Sequence, residues 1–524
     1  MLLALAAPAC GTRAANGSAD TLTFGRNKDA VTLDPAVAFD GISLTATRPI
    51  FEGLTRYRPG SFEVEPSLAT SWETRDAGRT WIFHLRHGVR FQDGTQLDAQ
   101  AVKFNFDRWR DPHNPYHAWG YFTYYAAEFG GFPGRIAAVK ALAPDTLELE
   151  LTAPLAPLLA DLAMPAFGIA SPTALQRERE RFAQAPVGTG PYQLVEWVKD
   201  DHITLRRYDG YWGVRPHIQT VVLRDIPDAA TSVLLLQRGD IDGWEFPTPG
   251  GVAQLADDSQ LRVYHQPPNS IMYVAFNARR HPFDDARVRA ALSLAIDRAA
   301  IVRQFFDPTA VVARQWLPEA VWPQGVPLPD RYDPAAAKRL LAQAGYPHGF
   351  STTLWYMTAP RPYLPEPQRV AEAIQADLAA IGVEARLQGY EWGVYIQKIQ
   401  DAQHDMCVIG WTGDNGDPDN FTYAPLDKDN AVPPGASNVT FWADERFHAL
   451  IMLAQRVEGR DARAQLYRQA LAIVGEQAPV AAIAHTTSPI IFRASVRGFV
   501  PAPDSTINYA DLSLTEKPDA NAKQ

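Results

Sequence analysis

Arg361 and Asp414 are the residues whose types and positions point most directly to chemistry. Arg361 stands with Tyr363 in the proline-rich loop 358–367, and Asp414 opens the polar run Asp414–Asn420. A guanidinium and a carboxylate that face one cleft suit a zwitterionic ligand, because each charge then meets its opposite. Taken alone, Arg361 is equally compatible with an ordinary surface position and Asp414 with a turn. Their chemistry therefore depends on the elements that position them.

The sequence around these two residues predicts a β-α-β-α-β segment. The predicted elements are a strand over 351–357, a helix over 370–381, a strand over 383–387, a helix over 392–399 and a strand over 406–409. This order favours a mostly parallel sheet with helices on its faces. Ligands of such sheets bind beyond the carboxyl ends of the strands. Arg361 and Asp414 both follow such ends, so we expect them to converge on one cleft.

The composition is that of a large globular protein. The chain has 524 residues, of which 46% are hydrophobic, enough for a sizeable core. At about 150 residues per domain, this length suggests two to four domains. The 49 basic and 59 acidic side chains give a net charge of −10, which argues against a nucleic-acid binder with a basic face. Internal repeats are absent from the sequence, so solenoids and propellers are excluded.

The sequence contains none of the familiar catalytic motifs. There is no G-x-S-x-G elbow, H-E-x-x-H helix, S-x-x-K pair or P-loop. The acidic run fails the calcium-loop pattern, because Gly416 stands where a ligand is required. The two cysteines, Cys10 and Cys407, cannot build a disulfide scaffold or a cysteine-rich zinc site. We expect no catalysis, no cofactor and no metal.

The first ten residues resemble the end of an export signal. Residues 2–9 form a short apolar stretch that ends in an A-x-A pattern at Ala7-Pro8-Ala9. Cys10 follows directly, so lipidation of this cysteine, as in a bacterial lipoprotein, is the alternative to free export. No other run approaches the ~20 apolar residues of a membrane span. We expect a periplasmic protein, either free or anchored by a lipid.

Several motifs spread along the chain are together typical of one family. They are Glu65–Trp72, Phe83–Phe91, Val102–Arg108, Gly188–Tyr192, Asp209–Gly213, Phe276-Asn277, Pro282–Asp285 and Val288–Leu292. On these residues the chain, from about 22 to 515, resembles the extracytoplasmic solute-binding proteins, family 5, of bacterial peptide ABC importers. The resemblance implies a non-enzymatic receptor with the two-lobed α/β periplasmic-binding-protein fold (class II, cluster C type). It also implies an extra third domain and mixed sheets flanked by helices.

The resemblance further implies a division of the chain into domains. The expected parts are an export signal or flexible N-terminus (1–21), a discontinuous domain I (22–54, 190–268 and 486–515), the extra domain II (55–189), domain III as the second lobe (269–485) and a tail (516–524). Domain I is discontinuous because two strands link the lobes, and the chain returns to it near His485.

The resemblance also assigns ligand-binding roles, through a narrower match to the dipeptide-binding members of the family. This match covers Arg361-Pro362-Tyr363 and Gly410–Phe421. It implies that Asp414 pairs with the α-ammonium of the ligand and Arg361 with its α-carboxylate. The other residues expected to line the cavity are Gly41, Ser43, Tyr363, Trp411, Thr412 and Gly413. The implied function is that of a monomer that captures dipeptides or short peptides and delivers them to an inner-membrane permease.

Two segments depart from the dipeptide-binding pattern and leave the size of the pocket open. They are Asp40–Ser43 and the stretch between Phe421 and Trp442, and both border the expected cavity. Relatives on the same scaffold carry oligopeptides, antimicrobial peptides, glutathione, haem or metal chelates, so a different cargo is the main alternative. An exported peptide hydrolase and a purely structural or chaperone role are the more distant alternatives.

Overall fold

The computed structural model describes residues 20–322, 325–328, 331–486 and 489–515. The strands are β1 (Thr21–Arg26), β2 (Thr55–Tyr57), β3 (Val64–Pro66), β4 (Ala69–Arg75), β5 (Thr80–Leu85), β6 (Ile136–Ala143), β7 (Thr146–Leu151), β8 (Tyr192–Val198), β9 (His202–Arg207), β10 (Thr220–Asp225), β11 (Gly243–Glu245), β12 (Leu261–His265), β13 (Ser270–Phe276), β14 (Val311–Val312), β15 (Ser351–Met357), β16 (Glu384–Tyr390), β17 (Met406–Thr412), β18 (Val480–His485), β19 (Pro489–Arg493), β20 (Val496–Arg497) and β21 (Ser513–Leu514).

The α-helices of the described residues lie between these strands. They are α1 (Gly41–Thr47), α2 (Ala99–Arg110), α3 (Thr123–Phe129), α4 (Leu158–Asp161), α5 (Pro172–Glu178), α6 (Ala229–Arg238), α7 (Pro249–Leu255), α8 (Ala286–Ala295), α9 (Arg298–Phe305), α10 (Pro334–Gln343), α11 (Pro367–Ala379), α12 (Trp392–Gln400), α13 (Pro418–Leu426), α14 (Glu445–Ala454) and α15 (Arg460–Gln477). Short 3₁₀ helices are formed by His117–Trp119, Pro165–Phe167, Arg179–Gln184, Lys428–Asn430 and Tyr509–Asp511.

The predicted β-α-β-α-β segment is present as β15, α11, β16, α12 and β17. Helix α11 begins with a proline, whose fixed φ suits the first turn. It buries Val370, Ile374 and Leu378, the face that their helical spacing predicted. The first five residues of β17, Met406–Gly410, are all buried, as expected of a continuous apolar strand in the middle of a covered sheet.

A six-stranded sheet contains this segment, in the order β14-β18-β13-β17-β15-β16. Strand β15 pairs in parallel with both β16 and β17, as predicted. However, β13 pairs antiparallel with β17 and β18, and β14 pairs antiparallel with β18. The prediction of a mostly parallel sheet is therefore wrong for the sheet as a whole. Strand β13 is buried at every residue, and such a uniform apolar pattern does not specify the direction of pairing.

Two other large sheets draw their strands from different parts of the chain. A seven-stranded sheet has the order β12-β19-β11-β1-β10-β9-β8, and a four-stranded sheet has the order β4-β5-β7-β6. Each large sheet has its own hydrophobic core. The six- and seven-stranded sheets combine parallel and antiparallel pairs, whereas the four-stranded sheet is antiparallel. These sheets and their helices agree with the expected α/β class, while the exact domain boundaries stay a prediction.

None of the helices in the described part of the chain combines the length and the apolar character needed to cross a membrane. Residues 1–19, with the predicted cleavage site and Cys10, lie outside the described residues. The other cysteine, Cys407, is fully buried in β17.

Candidate functional site

The loops of Arg361 and Asp414 leave the same edge of the six-stranded sheet. Strands β15 and β17 are adjacent and parallel, with Leu354 opposite Met406 and Trp355 opposite Cys407. Strand β15 ends at Met357 and β17 ends at Thr412, so both loops start from carboxyl ends that lie side by side. This is the arrangement that the order of elements predicted. It places one cationic and one anionic side chain in neighbouring loops.

The carboxylate of Asp414 is half-buried and is held by neutral donors. The Tyr124 hydroxyl donates to Oδ1 at 3.1 Å, and the Asn420 side-chain amide lies 3.4 Å from Oδ2. Burial raises the pKa of Asp414, and these two hydrogen bonds oppose the rise. Among the described residues no Lys, Arg or His side chain forms an ion pair with it. Asp414 is therefore a half-buried carboxyl group that no cation of the described residues neutralises.

The guanidinium of Arg361 is half-buried and lies over an aromatic ring. Its central carbon is 3.7 Å from the ring centroid of Trp392. The backbone of the loop is closed by two hydrogen bonds between Arg361 and Leu364, at 3.0 and 2.8 Å. The buried Nε has no hydrogen-bond partner in the described structure, and burial lowers the pKa of Arg361. No carboxylate of the described residues pairs with Arg361, so its donors suit an external anion.

Tyr363 connects the loop of Arg361 to the strand that leads to Asp414. The side chain is 7% exposed, and its hydroxyl hydrogen-bonds to the backbone of Gly410. Its ring also occupies the space that a Cβ at Gly410 would need. Position 410 therefore requires glycine because the tyrosine ring approaches the backbone so closely. Tyr363 thus fixes the loop from within the core, and direct contact with a ligand stays a prediction.

Trp411 and Thr412 at the end of β17, and Gly413 after it, differ in how many of their groups already have partners within the protein. Trp411 is half-buried and donates its indole N–H to Asn420 Oδ1 at 3.0 Å, whereas Thr412 is exposed. The N–H of Gly413 donates to the Asn269 carbonyl at 2.9 Å, and the Gly413 carbonyl accepts from the Asn269 side chain at 2.8 Å. Both backbone groups of Gly413 therefore already have partners within the protein.

Gly41 and Ser43 lie in the first turn of α1. Gly41 is exposed, and a Cβ there would meet no atom within 4 Å. Ser43 is fully buried, and its hydroxyl donates to Asp40 at 2.7 Å and accepts from the Val31 N–H at 2.9 Å. The structure thus uses the Ser43 hydroxyl to cap and brace α1. It gives neither residue a direct contact with Arg361 or Asp414.

Four residues that shape the site were not among those expected from the sequence. They are Tyr124, Asn269, Trp392 and Asn420. Tyr124 contacts the small hydrophobic cluster that includes Leu44 of α1, so it bridges α1 and Asp414. Of these four, Asn420 alone could be anticipated from the local sequence. It lies six residues after Asp414 in the same polar run, where an Asn side chain is well placed to bond to the nearby backbone.

A separate cavity of about 420 Å³ lies elsewhere in the molecule and includes none of the predicted site residues. Its lining includes Arg48, Tyr57, Trp212 and Tyr509. The Arg48 guanidinium is paired with Asp504 at 2.9 Å, so this charge is already balanced by the protein.

Within the described residues, Asp427, Asp429 and His448 form the one group with the geometry to hold a metal ion, with ligand atoms within 4.8 Å of one another. His448 Nδ1 contacts Asp427 at 3.0 Å, and Lys428 lies 3.2 Å from Asp429. Protein groups therefore already balance these carboxylates, and we assign the group no metal.

Comparison with known proteins places the chain in a family. The model of the bacterial extracellular solute-binding proteins, family 5 (middle region), matches residues 63–432. A dipeptide-binding protein of Escherichia coli (strain K12) is 36% identical over 516 residues, covering 96% of this chain and 96% of that protein. Heme-binding protein A of Haemophilus influenzae is 34% identical over 519 residues, covering 97% of this chain and 94% of that protein.

A solved structure supports the same conclusion for the fold. The periplasmic binding protein DppA of Helicobacter pylori, in complex with the peptide STSA, matches with a TM-score of 0.79 and 31% identity, covering 95% of this chain and 98% of that chain. The expected periplasmic-binding-protein fold and the expected family are thereby confirmed. The chain belongs to the bacterial extracellular solute-binding proteins of family 5, which serve ABC importers as substrate-binding proteins and are not enzymes.

Proposed function

We propose that this protein captures dipeptides or other short peptides and delivers them to an ABC permease. In this proposal Asp414 pairs with the α-ammonium of the peptide and Arg361 with its α-carboxylate. One observation carries it: two opposite charges, neither paired within the described structure, stand in loops that leave adjacent parallel strands at one edge of a sheet. A dipeptide presents the complementary charges a short, fixed distance apart.

The energetics of partly buried charges support this pairing. A cleft that closes on a peptide strips water from both termini, so each charge needs a partner of opposite sign. Removing one partner of such a pair costs about 2–5 kcal/mol, much of it from the charge that is left unpaired. The planar guanidinium of Arg361 suits a carboxylate because it offers two parallel hydrogen bonds. The ring centroid of Trp392 lies 3.7 Å from the central carbon of this guanidinium.

The similar proteins are consistent with peptide cargo and differ in peptide length. The relative from Escherichia coli is a dipeptide-binding protein, whereas the structure from Helicobacter pylori holds the peptide STSA. For this chain we propose selection by length, because a carboxylate held by Arg361 leaves no room for a further residue at that end. A tripeptide that binds as tightly as a dipeptide would contradict this selectivity.

Haem is the second candidate cargo, because Heme-binding protein A of Haemophilus influenzae is 34% identical over nearly the whole chain. The two cargoes make different demands, since haem presents two propionates and no ammonium. A haem site would therefore leave Asp414 without a cationic partner. The two candidates are distinguished by titrating the protein with haem while dipeptide is present as a competitor. Binding of haem is measured from its absorbance.

We further propose that the protein acts as a monomer outside the cytoplasm. The family is extracellular, which agrees with the A-x-A pattern at residues 7–9. Lipidation of Cys10 would anchor the protein to the membrane, and Cys10 lies outside the described residues. The mass of the N-terminal peptide of the mature protein tests the anchor, and sedimentation with and without peptide tests the monomer.

The direct test is a calorimetric titration of refolded, ligand-free protein with Ala-Ala, its N-acetyl form and its C-terminal amide. Refolding removes any cargo retained during purification. We expect tight binding of Ala-Ala and a loss of about 2–5 kcal/mol for each blocked terminus. Failure of all three to bind would contradict the dipeptide assignment, and mass spectrometry of the protein as purified would then identify its cargo.

A further inference from the structure

The contact between Arg361 and Trp392 is unlike an ordinary surface contact of an arginine. The guanidinium carbon lies 3.7 Å from the centroid of the indole, the closest of the cation–aromatic contacts among the described residues. The side chain forms no ion pair there, and its Nε is buried without a hydrogen-bond partner. The aromatic face is thus the main partner that the protein offers to this charge.

The indole is itself held by the strand that leads to Asp414. Trp392 is the first residue of α12, and its ring lies 6.3 Å from that of Tyr395 at an interplanar angle of 27°. Tyr395 is fully buried and donates its hydroxyl to the carbonyl of Val408 in β17 at 2.6 Å. A chain of contacts therefore runs from Arg361 through the two aromatic rings to the strand that precedes Asp414.

We propose that Trp392 is a positioning residue that holds the guanidinium of Arg361 in the orientation required to bind the carboxylate end of the ligand. The proposed orientation keeps the N–H groups of the guanidinium in a plane parallel to the indole, where a carboxylate can accept two of them. Because Trp392 is tied to β17 through Tyr395, the stack also fixes the guanidinium relative to Asp414. This inference rests on the proposed function and extends it to Trp392, which acts through Arg361 and does not itself bind the ligand.

A purely structural role for Trp392 makes a different prediction. Its half-buried ring also packs against the large hydrophobic core. A substitution that only loosened this packing would weaken the binding of every ligand to a similar degree. Loss of the stack instead weakens only those ligands whose carboxylate is bound by Arg361. The ratio of affinities for Ala-Ala and its C-terminal amide therefore separates the two roles.

The experiment is a calorimetric series on Trp392→Leu, Trp392→Phe, Arg361→Met and the double variant Trp392→Leu/Arg361→Met. For Trp392→Leu we expect affinity for Ala-Ala to fall about 3- to 30-fold, the range of a partly desolvated cation–aromatic contact, while affinity for the amide changes less than about twofold. Trp392→Phe keeps an aromatic face and should retain most of the discrimination. In the Arg361→Met background, Trp392→Leu should have little further effect.

Trp197→Leu is the matched control, since it removes another partly buried indole that lies under a cation, Lys199. Its discrimination between Ala-Ala and the amide should equal that of the wild type. Equal losses for both ligands in Trp392→Leu, or an undiminished effect in the Arg361→Met background, would overturn the positioning role alone. Wild-type protein that binds neither ligand would instead contradict the proposed function and the inference with it.

Discussion

The hydroxyl of Tyr124 donates a hydrogen bond to Oδ1 of Asp414 at 3.1 Å, across 290 positions of the sequence. Tyr124 lies in α3, among the elements of the four-stranded sheet, and Asp414 follows β17 of the six-stranded sheet. The bond therefore joins two parts of the molecule that are distant in sequence, at the carboxylate proposed to bind the ligand ammonium. Burial and the nearby charge of Asp414 both raise the pKa of Tyr124, so the phenol stays protonated and remains a donor.

Tyr124→Phe should weaken the binding of Ala-Ala by about 1.5 kcal/mol, because the Asp414 carboxylate loses a donor in a half-buried site. Isothermal calorimetry at neutral pH provides the measurement. Tyr121→Phe is the control, since Tyr121 lies in the same aromatic run but is 73% exposed. Equal affinities for Tyr124→Phe and wild type would show that the bond contributes equally to the free and the ligand-bound states, and would contradict this prediction.

Gly410→Ala should lower both stability and affinity for dipeptide. The added methyl meets the ring of Tyr363, so the loop that carries Arg361 must shift, and overpacking of this kind costs about 1–3 kcal/mol of the free energy of unfolding. Denaturant unfolding and calorimetry measure the two effects. Gly250→Ala is the matched control, because a Cβ at Gly250 would meet no atom within 4 Å. An unchanged affinity in Gly410→Ala would contradict the coupling between Tyr363 and the Arg361 loop.

A second contact between the same parts of the molecule joins two carboxyl groups through one amide. The Asn415 side chain donates to Asp161 at 2.9 Å and lies 3.4 Å from Glu128. Burial raises the pKa of both acids well above the ordinary range, and the charge of Glu128 raises the pKa of Asp161 further. A hydrogen bond with Asp161 opposes the rise in the pKa of Glu128. The carboxylates of Asp414, Asp417 and Asp419 add to the repulsion on Glu128, while the Arg135 charge partly opposes the rise at Asp161.

The stability of the ligand-free protein should therefore fall as the pH rises. Both carboxyl groups have a higher pKa in the folded protein than in the unfolded chain. Their contribution to the free energy of unfolding is therefore fully present below the unfolded-state pKa, and it is lost as the pH rises through the folded-state pKa. Glu128→Gln removes one titrating group and should flatten the decline. Thermal unfolding at about pH 5, 6, 7 and 8 provides the measurement. A wild-type decline that Glu128→Gln leaves unaltered would contradict the assignment to this pair.

The positions of Arg361 and Asp414 could be predicted because they depend on local pattern. Apolar periodicity located β15, α11 and β17, and the order of these elements placed both loops at carboxyl ends. The antiparallel addition of β13 could not be predicted, since a strand buried on both faces shows the same residues in either direction.

The partners of the two charges could not be predicted for a different reason. Tyr124 and Asn269 reach the site from distant parts of the chain, and a single sequence contains no record of such contacts. For Ser43, the family resemblance predicted a role in lining the ligand cavity. It did not predict that the Ser43 hydroxyl braces α1 through two hydrogen bonds within the protein. The location of the binding site stays a prediction, and the family pattern gave no information on the partners of each side chain.

The most direct test of the central claim crosses two variants with three ligands. Asp414→Asn, Arg361→Met and wild type are titrated with Ala-Ala, N-acetyl-Ala-Ala and Ala-Ala amide. Asp414→Asn should lose the preference for a free ammonium and keep the preference for a free carboxylate, while Arg361→Met should show the reverse, with about 2–5 kcal/mol lost for Ala-Ala in each variant. If each variant kept both preferences, or lost both equally, the pairing of one charge with each terminus would be contradicted.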